Sequence, residues 1–379
     1  MKYVLAIFLI SNLLAQENQT RFDSLVYQGV HQIYNLKFED AEQTFEKVQS
    51  EFPGNPAGSF FDAMIIWWRI MIDFNNTELD DLFVEKLENV IDKCDDILDE
   101  DPNNIDALFF KGGALGFRGK LYSIRESWFD AALDGKDALP IVYDAYAVDS
   151  TNMDIQLGFG IYNYYAEMIP EKYPFVKPFM IFFPSGDKKK GIEQLEAAAM
   201  EGKYSKYESR YFLMTLFYQH ENNFSKALEY AEMLTGDFPD NPIFQRHHGR
   251  ILVRMGFYRR ATRIFSDILK KCEAKLRGYS ESSKREATYY MGLNLFKDNR
   301  PDSSKVYFKE SEKLSRMLIG KEYKQTGYLA NTLLYLGMIE DLSGNRENAI
   351  EYYEQVLDLD DFKDSHNRAE KYIETPYKK

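Results

Sequence analysis

Residues 224–239 read FSKALEYAEMLTGDFP and residues 258–273 read YRRATRIFSDILKKCE. Ala227 and Ala261 in these stretches stand 34 residues apart. Three residues before each is an aromatic, Phe224 or Tyr258. Twelve before each is a small residue, Thr215 or Gly249, inside an apolar-periodic segment, and Pro239 follows Ala227 by twelve. The template also fits Gly29, Phe38, Ala41, Phe45 and Pro53 near the start, and Gly337, Ala349 and Tyr353 near the end. Looser copies stand at Gly112/Ile124/Trp128, Gly158/Gly191/Leu195 and Gly292/Ser304/Phe308. The spacing has a physical reading. Two helices crossing closely need small side chains at the crossing, an aromatic four residues after the Ala fills the gap to the next unit, and the proline stops the second helix.

These residues resemble the tetratricopeptide repeat, a 34-residue helix–turn–helix unit with a first helix A and a second helix B. The resemblance implies an all-α, right-handed superhelical solenoid. About eight antiparallel helix pairs are expected, near 18–52, 56–99, 103–137, 150–201, 204–237, 241–275, 281–316 and 324–359. A capping helix is expected near 361–374, because the last repeat of an array must cover its open face. The stretch GFGIYNYYAEMIPEKYPFVKPFMIFFPSGDKKKGIEQLEAAA resembles part of the tetratricopeptide repeat 39 and inclusion-body clearance family, at Gly158, Gly160, Pro170, Gly186, Asp187, Gly191 and Leu195. That supports the helical-repeat fold; the family is intracellular and little function follows from it.

The chain begins Met1-Lys2 and runs apolar to Leu14-Ala15 before a polar Gln16. One basic residue, an apolar run of about a dozen and a small residue at the end make an export signal over 1–15, leaving 16–379 as the solenoid. The location expected is the periplasm or the outer membrane. A second apolar stretch, FFDAMIIWWRIMIDF (60–74), is too short to span a bilayer and holds Asp62, Arg69 and Asp73, so it reads as a buried core helix. Cys94 and Cys272 fall on helices several repeats apart, which predicts free thiols.

The composition narrows the chemistry. There are 379 residues, 47 basic against 60 acidic, for a net charge of −13, which argues against a general nucleic-acid binder. Hydrophobic residues at 45% and charged ones at 28% exclude global disorder. KGGALGFRGK (111–120) lacks the spacing and the Ser or Thr of a phosphate loop. His247-His248 has no Cys, Asp or Glu one turn away to complete a metal site. No catalytic constellation stands out, so the chain reads as a binder rather than an enzyme, with no cofactor and no metal.

Three features could bind. Residues 169–186 hold four prolines and an apolar FMIFF core, and form an insertion within the fourth pair. Phe179, Phe182 and Phe183 there either plug the solenoid's own interior or contact lipid or another apolar ligand. Residues 78–101 carry eleven acidic and two basic side chains and read as a solvated outer face. Residues 243–285 carry twelve basic and three acidic ones. In this block Arg246, Arg250 and Arg254 share one face of a helix A, and the resemblance implies that helix A lines the concave groove. Like positions in other repeats include Phe159, Tyr162, Phe212 and Tyr289. An Arg stripe among aromatics suits an acidic or C-terminal segment of a partner protein, since guanidinium forks pair carboxylates. Alternatively, the arginines answer acidic residues of adjacent repeats. The function expected is a protein-interaction scaffold of the cell envelope. The alternative is a lipid or apolar-ligand binder using 169–186, with membrane contact not favoured.

Overall fold

The computed structural model describes residues 2–172, 174, 177, 183–320 and 327–378, with the backbone alone for 2–15. The described residues form seventeen helices and no strand. Sixteen make eight antiparallel pairs: α1 (Lys2–Tyr34) with α2 (Phe38–Glu51), α3 (Ala57–Ile72) with α4 (Asp80–Glu100), α5 (Ile105–Ile124) with α6 (Trp128–Val148), and α7 (Ile155–Lys172) with α8 (Lys188–Glu201). The next four are α9 (Lys206–Gln219) with α10 (Phe224–Asp237), α11 (Pro242–Arg254) with α12 (Tyr258–Glu273), α13 (Glu281–Lys297) with α14 (Pro301–Leu318), and α15 (Tyr328–Leu342) with α16 (Arg346–Leu357). A last helix, α17 (Ser365–Glu374), lies against α16, with Ala369 buried and Tyr372 beside Tyr353. The chain divides into two compact units: Met1–Met71 with Thr77–Leu213, and Ile72–Asn76 with Met214–Lys379.

The crossings explain the spacing. A methyl group added to Gly249 would lie 2.6 Å from the Phe265 ring, and one on Gly292 would lie 2.9 Å from Phe308. Gly29 meets Phe45, and Gly337 meets Tyr353, more closely still. All four partners stand sixteen residues after their glycine and are fully buried. The aromatic therefore sits on the glycine of its own pair, where the sequence reading had placed it toward the next. Ala41, Ala261 and Ala349 of these pairs are fully buried, and so is Ala227 of the fifth pair.

Two of the looser copies shift register. Gly112 faces Val142 and Ile141, while Trp128 is 66% exposed. The third crossing uses Gly119, which meets Ala131 and Asp134 two helical turns further on. In the fourth pair the crossing glycine is Gly160, packed on Gly191 and Leu195, and Gly158 meets Val142 of α6. Gly186 lies against the α7 backbone and Asp187 caps α8 by accepting from Lys190 N at 2.9 Å. α6 also runs to Val148, past the expected end at 137, with Pro140 inside it. An interior proline costs about 3 kcal/mol. The distal half offsets that by packing: Tyr143 and Tyr146 meet Phe159 edge-on, and Ala145 is buried.

α3 is a core helix, as its charges required. Trp67 and Trp68 are buried, Arg69 pairs with Glu42 at 2.8 Å, and Asp62 pairs with Lys86. Among the described residues no helix is long and apolar enough to cross a membrane. Cys94 is buried, Cys272 is half-buried, and both are free thiols.

Candidate functional site

In the second unit, three features place the arginines on one face of α11. Asn241 caps the helix by accepting from Ile243 N at 3.0 Å, Pro242 opens its first turn, and Gly249 locks it onto Phe265. Spacing by four then puts Arg246, Arg250 and Arg254 on the same side. Arg246 Nε donates to Glu286 Oε2 at 2.8 Å, and Arg250 Nε donates to Oε1 at 2.5 Å. Glu286, on α13, has a side chain with no exposure, while both arginines keep 23%. Burial alone would raise the Glu286 carboxyl; the two guanidiniums outweigh it and hold it down at about 2. Arg246 and Arg250 thus answer an acidic residue of the adjacent repeat, the second of the two readings given above. Arg254 is exposed and lies over the Phe224 ring at 5.2 Å.

Tyrosines surround this group. Tyr290 stacks on Phe265 at 4.7 Å, Tyr289 lies edge-on to Tyr328 at 5.2 Å, and buried Arg285 lies over the Tyr328 ring at 4.9 Å. Burial, followed by the Glu286 charge, raises the Tyr328 hydroxyl above its usual range. Arg246 and Arg250 thus share the single carboxylate of Glu286, with Arg254 exposed on the same helix. His247, also on α11, is buried; burial and then the Arg250 charge push its imidazole down to about 4.

The first unit uses its corresponding positions differently. Lys120 follows the crossing residue Gly119, and its Nζ lies 2.9 Å from Glu208 Oε1 on α9. The same ammonium sits over Trp67 at 4.9 Å and Phe117 at 5.3 Å. Tyr34 donates to Glu208 at 3.5 Å, and His31 Nε2 is 2.8 Å from Tyr207 hydroxyl. Trp68 and Tyr211 rings are 6.1 Å apart. One end of α9 thus occupies the side chains that α1, α3 and α5 direct toward it. No sequence motif marks this set, because its partners are 88 to 176 residues apart.

The predicted aromatic positions divide accordingly. Tyr289 joins the arginine face. Phe159, Tyr162 and Phe212 lie in the first unit: Phe159 is buried against Tyr143 and Tyr146, Tyr162 donates to Pro184 O at 2.5 Å, and Phe212 meets Tyr165 edge-on. Phe179 and Phe182 lie outside the described residues; Phe183 is half-buried. Among the described residues no cluster of three or more His, Cys, Asp or Glu could hold a metal ion.

Residues 331–360, which contain Gly337, Ala349 and Tyr353, match the tetratricopeptide repeat family model. No curated protein matches the chain. Among solved structures it is similar to Pseudomonas aeruginosa pilF, at 14% identity over 69% of this chain and 96% of that one, with a TM-score of 0.43. It is similar to a human IFIT1 dimer with PPP-AAAA, at 16% identity over 86% and 69%, TM-score 0.42. It is also similar to PilW, a type IV pilus biogenesis factor, at 16% identity over 65% and 92%, TM-score 0.41. No partner or role is carried across at those values. The repeat matched at 331–360 contains the Gly337–Tyr353 crossing, and the same glycine-on-aromatic contact recurs at Gly29, Gly249 and Gly292.

Proposed function

We propose that the chain is a non-enzymatic protein-interaction scaffold, exported to the cell envelope, which binds an acidic or C-terminal segment of a partner on the α11–α13–α15 face. Tetratricopeptide repeats generally serve as protein-interaction scaffolds. The observation that carries the finer reading is the pair of half-buried guanidiniums held on one buried carboxylate, with exposed Arg254 on the same helix and tyrosine rings beside them. Glu286 neutralises one charge and fixes Arg246 and Arg250 in orientation, so a partner carboxylate meets preorganised donors rather than mobile side chains. Arg254 adds an exposed cation at the edge of the same helix face.

The test is cross-linked capture of the tagged protein from its native envelope, comparing wild type with Arg254→Glu. Arg254 is chosen because reversing Arg246 or Arg250 would set a new carboxylate against Glu286. Wild-type capture should weaken as salt rises, and Arg254→Glu should reduce it at an unchanged melting midpoint. Equal recovery of the same partners by both proteins contradicts the reading.

A further inference from the structure

α6 differs from the other second helices. Over 21 residues it buries only Asp134 and Ala145, whereas α10 buries five side chains in fourteen. Several large apolar side chains stand exposed on it: Trp128 is 66% exposed, Phe129 75%, Leu133 42% and Tyr143 45%. At about 100° per residue, Phe129, Leu133, Pro140 and Tyr143 fall on one stripe, interrupted by the exposed Lys136 between them. Along one flank of that stripe run Asp130, Asp137 and Asp144, each seven residues from the next and each exposed. Asp134, on the inner side, is held by Arg118 at 2.6 Å. No ion pair among the described residues involves Asp130, Asp137 or Asp144.

An apolar seam bordered by one sign of charge at heptad spacing is the pattern by which one helix selects another. Its complement is an apolar seam bordered by Lys or Arg at the same spacing, which would cover the aromatics and pair the carboxylates. We propose that α6 is a docking surface for a basic amphipathic helix of a partner protein. An anionic membrane is a poor fit, since α6 carries four aspartates against the single Lys136 and interfacial helices use the opposite balance. This surface and its partner are separate from the arginine face proposed above.

Trp128 supplies the readout, because Trp67 and Trp68 are 1% and 2% exposed and solvent quenchers report on Trp128. The probe is a synthetic helical peptide of three heptads, with a Leu seam and Lys flanking it every seventh residue, added to the full chain. Binding should shift Trp128 emission to the blue and shield it from iodide. The exposed substitutions Asp130→Asn, Asp137→Asn and Asp144→Asn together should weaken binding at least tenfold, with circular dichroism confirming the fold. Phe129→Ser with Leu133→Ser should do the same. Neutralising Asp92, Asp96 and Asp99, which are exposed on the more acidic α4, should change it less than twofold. A peptide with Glu in place of Lys should not bind. The proposal is overturned by any of four results: unchanged affinity in the α6 variants, equal loss from the α4 variant, shielding of Trp128 by anionic vesicles, or self-association of the chain that shields Trp128 without the peptide.

Discussion

Glu208 in the first unit and Glu286 in the second are both drawn out of water by cations, but they recruit them over different spans of chain. Glu286 takes Arg246 and Arg250 from the adjacent repeat, 40 and 36 residues away. Glu208 takes Lys120 from 88 residues away and Tyr34 from 174. The second arrangement is what a helical array produces locally, with one helix A facing the next. The first sets a later helix of the same chain against side chains of three earlier ones. In the first unit α9 packs on these side chains; in the second, arginines and tyrosines stand at the like positions.

The largest effect expected follows from removing the Glu286 charge. Glu286→Gln leaves two guanidiniums facing each other with no carboxylate between them, and breaking a buried pair in this way costs about 3–5 kcal/mol. Chemical denaturation should show the loss. A midpoint within error of wild type would mean that water already reaches the pair. Glu208→Gln should cost less, about 1.5–3 kcal/mol, because Lys120 keeps 31% of its side chain in solvent and its aromatic neighbours. Equal losses in the two variants would erase the distinction between the units.

The crossings themselves give the next test. Ala261 is fully buried, and Ala261→Leu overpacks the sixth pair at a cost of about 1–3 kcal/mol. The same substitution at Ala132, which is exposed on α6, should be close to neutral by thermal melting. A neutral Ala261→Leu would show that the register is wrong.

The smallest effect separates His247 from Glu286 in the second unit. His247 is held neutral, with its pKa lowered from 6.5 to about 4, so the unfolded chain binds a proton more readily as pH falls through 6.5. Stability should therefore drop by about 1 kcal/mol between pH 6.5 and 5.5 from this group. Glu286 is lowered from 4.5 to about 2, so its contribution is intact above 4.5 and lost only toward pH 2. His247→Gln should reduce the slope of the upper window without abolishing it, because burial lowers His248 as well, and should leave the lower window unchanged, as read by denaturation at stepped pH. An undiminished slope after the substitution would assign the upper window to another group.

The fold was legible where packing is local. Small residues twelve before an Ala or Ser mark Gly29, Gly249, Gly292 and Gly337 as crossing positions. The spacing alone does not say that the aromatic sixteen residues on packs within the same pair. The third pair was misread because 111–120 offers glycines at 112, 113, 116 and 119, and only the partner helix decides which one lies at the crossing. Pro140 hid the length of α6, since the local rule against interior proline is outweighed by contacts with Phe159 that lie beyond it in sequence. Of the site, the arginine stripe was visible from spacing by four, and an acidic answer to it was foreseen. Glu286 itself was one acidic residue among many. The Lys120–Glu208 set was not readable, because no periodicity links residues 88 apart.

The most direct test of the account is hydrogen exchange of the full chain, alone and with the partner recovered by envelope capture. Slowed exchange is predicted in α11, α13 and α15, around Arg250, Tyr289 and Tyr328. Amides of α1, α3 and α5 around Tyr34, Trp68 and Lys120 should be unchanged, because α9 already occupies that face. Protection confined to α1, α3 and α5, with none in α11 or α13, would contradict it.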